Sequence, residues 1–387
     1  MKLPAYLKSA LKRAYLRAAP PKCVRLGGRR SALLCYITRP FVVAPSRGHS
    51  NQREVILMAD TLHELGFAVD AVDYDSSYPI AYGKYEFVIG FGRAFVGSYK
   101  DAGFKGVRAL HCTGANIHFS NRAEAVRARE MRRRSGVLLQ PRREVYWPWV
   151  YPAVNADFLT IIGNGWTAST YQDIHDVRFT LPVPLVEPRA SVASDGPLPA
   201  PGARSFLWFS GAGALHKGLD LVLEALGSLP NDVLVHVCGP IASESDFVRH
   251  YRLLEAQRKG FVFHGFVDID SDRMRAIAVD CPFVIHPSCS EGSASSVISC
   301  MSMGLIPLAT REAGVDLGDF GIAIERGDVD SVLTAMKHAL GLDDEERAAR
   351  ARAARAHART HHGEDAYRER LRDSLVEGLS AAGIGVP

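Results

Sequence analysis

Two hydrophobic periods alternate along most of the chain. Short apolar runs at 31–38, 67–73, 87–90, 107–111 and 158–162 have the length and composition of buried strands. Between them apolar positions recur at helical spacing. In 51–65, Val55, Ile56, Met58, Ala59, Leu62 and Leu65 fall on one face, and helical patterns follow at 121–134 and 166–176. The alternation then stops. Residues 187–203 (EPRASVASDGPLPAPGA) are rich in Pro, Ala, Ser and Gly and carry neither period, as a linker does. It restarts with strands expected at 206–209, 233–238, 261–267, 283–286 and 305–309. Helices are expected at 217–229, 245–259, 294–303, 328–341 and 344–379. Short strands separated by helices predict parallel βαβ units. Two such runs predict an α/β fold of two doubly wound Rossmann-like domains, 31–186 and 204–343, facing a cleft, with a helical segment 344–387 at the end.

Residues 1–30 form a basic amphipathic segment ahead of the first strand. Within 1–20, Leu3, Leu7, Ala10, Leu11 and Ala14 share a helical face, and Lys2, Lys8, Lys12, Arg13 and Arg17 supply charge. Three readings are open: a helix lying on an anionic membrane, a solvated terminal helix packed on the domain, and, as a minor option, an Arg-rich transit peptide. No apolar run is long enough for a transmembrane helix. The seven cysteines are scattered without a C-x-x-C pair, which fits neither a disulfide framework nor a zinc site and suggests a reducing, cytoplasmic setting. A formal net charge of +4 hides a division. Residues 1–190 carry 27 Lys and Arg against 15 Asp and Glu; residues 191–387 carry 19 against 27. The two halves are therefore expected to meet different partners.

Two loops carry candidate chemistry. In 281–310 a strand leads into Ser288–Ser296, a loop of small side chains before a helix, where free backbone N–H groups favour an anion such as a pyrophosphate. Glu291 is its strong acceptor and suits sugar hydroxyls; it also reads as a plain capping residue. In 206–221 a strand enters a Gly-rich turn with Lys217 at a helix start, either a phosphate grip or a solvated lysine. It is not a P-loop, since Gly218 follows Lys217. Arg132–Arg134 with Arg142 and Arg143 can meet phosphates or lipid head groups, or simply end a helix in water. His361 and His362 read as solvated helix positions.

In this order and spacing, the motifs resemble the C-terminal domain of group 1 (family four) glycosyltransferases of the GT-B fold. The 206–220 segment is similar to the family's phosphate loop. Cys238-Gly239-Pro240 is similar to its G-x-G strand end, and Phe263–Val267 to its F-x-G-x-V. Pro287-Ser288-x-Ser290-Glu291-Gly292 is similar to its P-S-x-x-E-G, and Met301-x-x-Gly304 to its A-M-A-x-G. The likeness covers 205–325, and 31–186 more loosely. It implies transfer of a sugar, with retention, from a nucleoside-diphosphate sugar to a glycan or lipid-linked acceptor, with no metal or other cofactor and no nucleic acid. Cell-surface polysaccharide or glycolipid synthesis is the implied setting, on the inner face of the membrane if the protein is peripheral. Lys217 would hold the diphosphate, with Gly211 and Gly213 in its loop. Gly292, Ser293, Ala294 and Ser295 would offer backbone N–H groups beside Ser288. Glu291 would contact the sugar, and Gly265, Phe266 and Val267 the base. His111 would face the sugar and acceptor, with Gly48, His49, Ser50 and Asn116 on the acceptor side. The last helix would cross back to the first domain.

Two positions depart from the pattern. The family's second Glu, eight residues after the first, is Ser299 here, and its phosphate-loop arginine is Ala212. Glu312 is a candidate substitute acceptor. The departures keep a non-catalytic nucleotide-sugar binder open, as well as an epimerase or phosphorylase-like enzyme on the same fold.

Overall fold

The computed structural model describes residues 14–43, 50–146, 148–186, 198–200, 202–253 and 260–386. The first domain holds seven strands: β1 (Lys22–Arg25), β2 (Arg30–Tyr36), β3 (Phe67–Asp73), β4 (Phe87–Gly90), β5 (Val107–Cys112), β6 (Phe158–Ile162) and β7 (Arg178–Leu181). Helix α1 (Ser50–Glu64) and helix α2 (Ile117–Ser135) are the long ones between them. The sheet order is β1-β3-β2-β4-β5-β6-β7, parallel except for β1 against β3. Ala32–Tyr36, β4 and β6 are buried throughout, because helices cover both faces of a parallel sheet. The edge strands β1 (KCVR) and β7 (RFTL) escaped the sequence reading. They are short, charged and half-exposed, as strand edges are. The expected helix at 166–176 is a single turn, Gly165–Ser169, followed by turns.

The second domain is all parallel. Its strands are β8 (Ser205–Phe209), β9 (Leu234–Cys238), β10 (Phe261–Gly265), β11 (Phe283–His286), β12 (Ile306–Ala309) and β13 (Ile322–Ala323), ordered β10-β9-β8-β11-β12-β13. Helix α3 (Leu219–Leu226) follows β8, and helix α4 (Ser295–Ser302) follows β11. The winding direction reverses between β8 and β11. Their C-terminal loops therefore diverge and leave a crevice, the place where open α/β sheets bind ligands. Lys217 and Glu291 lie on these two loops.

The expected single helix over 344–379 is two: α5 (Asp344–His362) and α6 (Glu364–Ala381), broken at Gly363, whose ψ of 160° is extended. Helix α5 starts firmly, with Asp343 accepting the Glu346 N–H at 2.8 Å. It lies beside α4 on the second domain. Helix α6 returns to the first domain, where Tyr367, Leu371, Leu375 and Leu379 are fully buried. At the break the chain's two crossings run together. The Leu185 N–H donates to the His362 carbonyl at 2.6 Å, and His362 Nδ1 lies 3.0 Å from the Val183 carbonyl. His362 is thus buried, not solvated, and burial pushes its imidazole down to about 4.

Part of the charge division is used between the domains. From α2 and the loop after it, Arg134 reaches Asp220 at 2.6 Å and Glu224 at 2.8 Å, and Arg142 reaches Asp246 at 2.5 Å. Arg127 stands 3.7 Å from Asp220, which is fully buried. Arg134 and Arg142 therefore face carboxylates of the second domain instead of lipid or open water.

Candidate active site

The loops after β8 and β11 interlock. Gly218, at φ +72°, lies so close to the second loop that a Cβ there would be 2.2 Å from the Pro287 carbonyl oxygen. Only glycine allows that turn and that approach. The turn delays the start of α3 to Leu219 and leaves Lys217 on the loop. There the Lys217 carbonyl accepts from Trp208 Nε1–H at 3.2 Å. The second loop is tied by Cys289 N–H to the His216 carbonyl (2.9 Å) and by Glu291 N–H to the Glu312 carbonyl (2.8 Å).

These ties bring Lys217 Nζ into an ion pair with Glu291 Oε1. Ser288 Oγ is 3.3 Å from the same oxygen, and His286 Nε2, at 3.6 Å, is too far for a hydrogen bond. Burial acts to raise the Glu291 pKa, but the Lys217 charge outweighs it and holds the carboxyl well below the usual range. Burial lowers His286 as well, and pushes His216 down to about 4. Both imidazoles are neutral at pH 7. Several polar atoms here are buried without a hydrogen-bond partner: Ser210 Oγ, His216 Nδ1, both His286 ring nitrogens and Ser293 Oγ. Unmatched polar groups are costly, so their concentration on one crevice is a mark of a ligand site.

The first domain closes over this crevice. The Ala115 N–H donates to the Glu291 carbonyl at 3.2 Å, Thr167 Oγ1 to the Gly292 carbonyl at 2.8 Å, and Ser120 Oγ meets Ser290 Oγ at 2.6 Å. A Cβ on Gly292 would lie 2.6 Å from the Ile162 carbonyl oxygen and 2.8 Å from Gly114 Cα. Between the two domains remains a cavity of about 230 Å³, lined by His111, Thr113, Arg143, His216, Ser290 and Glu291 among others. The backbone and side-chain contacts that cross the cleft hold it in a closed state.

His111 lines that cavity from the end of β5, but both ring nitrogens are taken. Nδ1 is 2.9 Å from Thr160 Oγ1, and Nε2 is 2.9 Å from Glu54 Oε1. Glu54, buried on α1, also accepts from the hydroxyls of Tyr36 (3.0 Å) and Tyr367 (3.5 Å). Sequence reading missed Glu54. Its one sign is a carboxylate one turn before Met58 on an apolar helix face.

The other expected residues divide. Gly211 is open, whereas the Gly213 and Ala214 N–H groups donate to Glu244, which accepts at 2.6 Å and 3.1 Å. That carboxylate fills the amide turn and was not foreseen. The Ala294 N–H is also taken, by the Ala313 carbonyl at 3.0 Å, so it is not offered to a phosphate as expected. Ser295 opens α4. Of the three base-contact candidates, Gly265 makes the turn, Val267 is in the core, and Phe266 presents a ring that is 66% exposed. The Ser299 hydroxyl is turned toward the Val186 carbonyl, 3.4 Å away. The Glu312 side chain pairs with Arg311 at 3.0 Å, while its backbone supports Glu291. Asn116 caps α2, accepting from the His118 N–H at 2.9 Å. Ser50 opens α1, and Gly48 and His49 lie outside the described residues. Among the described residues no cluster of three or more His, Cys, Asp or Glu is placed to hold a metal ion.

Residues 204–341 match the family model of the glycosyl transferases group 1. No curated protein matches the chain. Solved structures do. HepE of Anabaena, in complex with UDP-glucose, is 13% identical with a TM-score of 0.60 over 90% of this chain and 100% of that one. Sucrose-phosphate synthase of Thermosynechococcus elongatus is 15% identical with a TM-score of 0.60 over 91% and 100%. WaaG, a glycosyltransferase involved in lipopolysaccharide biosynthesis, is 14% identical with a TM-score of 0.52 over 89% and 99%. At such identities the likeness establishes architecture, and the family match covers the domain that carries Lys217 and Glu291. The chain therefore has the GT-B fold, and its residues 204–341 match the glycosyl transferases group 1.

Proposed function

We propose that the enzyme moves a sugar, with retention of configuration, from a nucleoside-diphosphate sugar to a glycan or lipid-linked acceptor in cell-surface polysaccharide or glycolipid synthesis. The observation that carries this reading is the Lys217–Glu291 pair at the switch point of the second sheet, surrounded by unmatched polar atoms and facing the first domain. With the crevice empty the two charges neutralise each other. A donor exchanges that pair for two others, Lys217 with the diphosphate and Glu291 with sugar hydroxyls. As the glycosidic bond breaks, negative charge grows on the leaving diphosphate. Lys217 and the loop at 292–293 stabilise it there, and the reading invokes no metal. The acceptor hydroxyl attacks from the same face and its proton passes to the departing phosphate. Closure keeps water from the donor. His111, with both nitrogens held, contributes a wall to the cavity and no proton.

The acceptor is assigned to a larger cavity of about 1020 Å³ in the first domain, lined by Tyr74, Tyr78, Arg93 and Lys100 among others. It shares Gly92 and Val96 with the closed cavity, so an acceptor there reaches the donor sugar. Its charged lining is balanced, Arg93 and Lys100 against Asp75 and Asp101, and its tyrosine faces suit a glycan. Arg17, in the basic N-terminal segment, pairs at 2.7 Å with Asp75, a lining residue of that cavity, and delivery of the acceptor from an anionic membrane surface is part of the proposal. No described helix is long and apolar enough to cross a membrane. HepE carries UDP-glucose in its complex, so UDP-sugars are the first donors to screen, followed by GDP- and ADP-sugars. Turnover that disappears in Lys217→Ala and Glu291→Ala supports the assignment; wild-type rates in both sink it. Donor binding with neither transfer nor hydrolysis would select the non-catalytic reading, which the Glu244-filled turn and the averted Ser299 favour.

A further inference from the structure

We propose that Arg143, from the first domain, is a second cation for the donor diphosphate, so that the phosphate site is complete only when the cleft is closed. The proposal rests on the nucleotide-sugar reading above and adds a residue to it. The loop carrying Arg143 is held from both sides. Glu124, buried on α2, accepts the backbone N–H groups of Arg142 (2.9 Å) and Arg143 (3.0 Å). Asn121 pairs with Val145 in both directions, at 2.8 and 3.0 Å. On the other side Asp246 of the second domain takes the Gln140 N–H at 2.9 Å and the Arg142 guanidinium. Between these anchors the Arg143 stem crosses the domain boundary and lies on the Gly-rich turn. A Cβ on Gly213 would be 2.8 Å from Arg143 Cγ and 3.1 Å from Cδ.

Arg143 lines the closed cavity with His216, Ser290 and Glu291. Its neighbours on the same face, Arg127, Arg134 and Arg142, all face carboxylates. Arg143 has neither a hydrogen bond nor an ion pair through its guanidinium among the described residues. Its charge bears on Glu124, which holds its own loop, and on His216 of the second domain, as does that of Lys217. Lys217 is already matched by Glu291, and Glu244 adds negative charge behind the turn. A dianionic leaving group at this spot needs a further cation, and a guanidinium fork suits two phosphate oxygens.

The test uses the full chain and titration calorimetry with UDP and with uridine. Arg143→Ala is expected to weaken UDP about 10- to 100-fold and to leave uridine unchanged. Arg143→Lys should keep part of the affinity. Ala212 is exposed beside Gly213, so Arg143→Ala/Ala212→Arg should regain UDP binding by supplying the charge from within the second domain. Unchanged UDP affinity in Arg143→Ala overturns the proposal. So does an equal loss of UDP and uridine, which would mean the loop is only structural. Wild-type protein that binds UDP while the variant behaves identically removes Arg143 alone. Wild-type protein that binds none of UDP, GDP and ADP removes the nucleotide-sugar reading and this proposal with it.

Discussion

Each domain buries a carboxylate beside a histidine at the C-terminal end of its sheet, and the two clusters are finished to different degrees. In the first domain Glu54, His111, Thr160, Tyr36 and Tyr367 satisfy one another around one carboxylate. In the second, Glu291 has its lysine, yet His216, His286, Ser210 and Ser293 keep buried atoms without partners. A saturated network positions elements and gains nothing from a ligand. An unsaturated one has binding free energy in reserve, because a ligand's hydroxyls and phosphates can meet groups already stripped of water. The difference teaches that a buried His–carboxylate pair does not by itself mark catalysis.

Lys217→Ala is the hardest blow to the unsaturated side. It should lower kcat about 10²- to 10³-fold, the range seen when a preorganised group facing developing negative charge is removed. Part of any fall in Tm would come from leaving Glu291 buried without its cation. Lys217→Ala/Glu291→Gln should therefore regain Tm and stay inactive; recovery of activity as well would mean the pair is structural. Glu54→Ala breaks the saturated side. Leaving His111 and two tyrosines without their acceptor should cost roughly 1–3 kcal/mol in denaturant unfolding, with a much smaller change in kcat per folded molecule. If kcat falls as far as in Lys217→Ala, the contrast between the clusters collapses.

A pH titration of stability sharpens the contrast further. His362 is held neutral when folded, with its pKa lowered to about 4, while an unfolded histidine takes a proton near 6.5. The unfolded chain therefore binds more protons as pH falls. Its contribution is intact above about 6.5 and is lost between there and about 4, reaching ~2 kcal/mol at pH 5. His216 slopes the same way, but the negative charge of bound UDP should raise its folded pKa and flatten its part, and should leave the His362 part unchanged. His362→Asn is expected to shallow the slope between pH 7 and 5; an unaltered slope would refute that origin. The smallest effect belongs to the ion pairs between the domains. Arg134→Ala should cost up to about 1 kcal/mol for the exposed Glu224 partner, and somewhat more through buried Asp220. Unfolding at low and high salt reads it, since most of the Glu224 share should vanish in high salt.

The periodic elements were legible because their physics is local. Strands 67–73, 87–90, 158–162 and 283–286 occur with the boundaries their apolar runs indicate. Lys217 and Glu291 were legible as separate site candidates, on loops after strands and through motifs that resemble the family; their ion pair was not. What sequence could not carry was pairing at a distance. Glu54 meets His111, Glu244 fills the turn at Gly213, and His362 meets Val183, each across long stretches of chain. Arg134 and Arg142 read equally well as lipid contacts until the second domain's carboxylates are placed opposite them. The helix break at Gly363 was hidden for another reason. Charged and alanine-rich helix formers run up to it on one side and resume on the other, so only the crossing between domains demands the interruption.

That crossing sets an order of assembly. The first domain is not contiguous in sequence: its core is closed by Tyr367, Leu371, Leu375 and Leu379, and Gly378 packs against the Phe158 ring. A chain emerging from the ribosome can complete residues 204–341 before those side chains exist outside the tunnel. The domain made first is finished last, and until then α1 and β7 expose the apolar surface that α6 will cover. Loss of the final twenty or so residues would therefore unfold the distant amino-terminal half while leaving the neighbouring sheet standing.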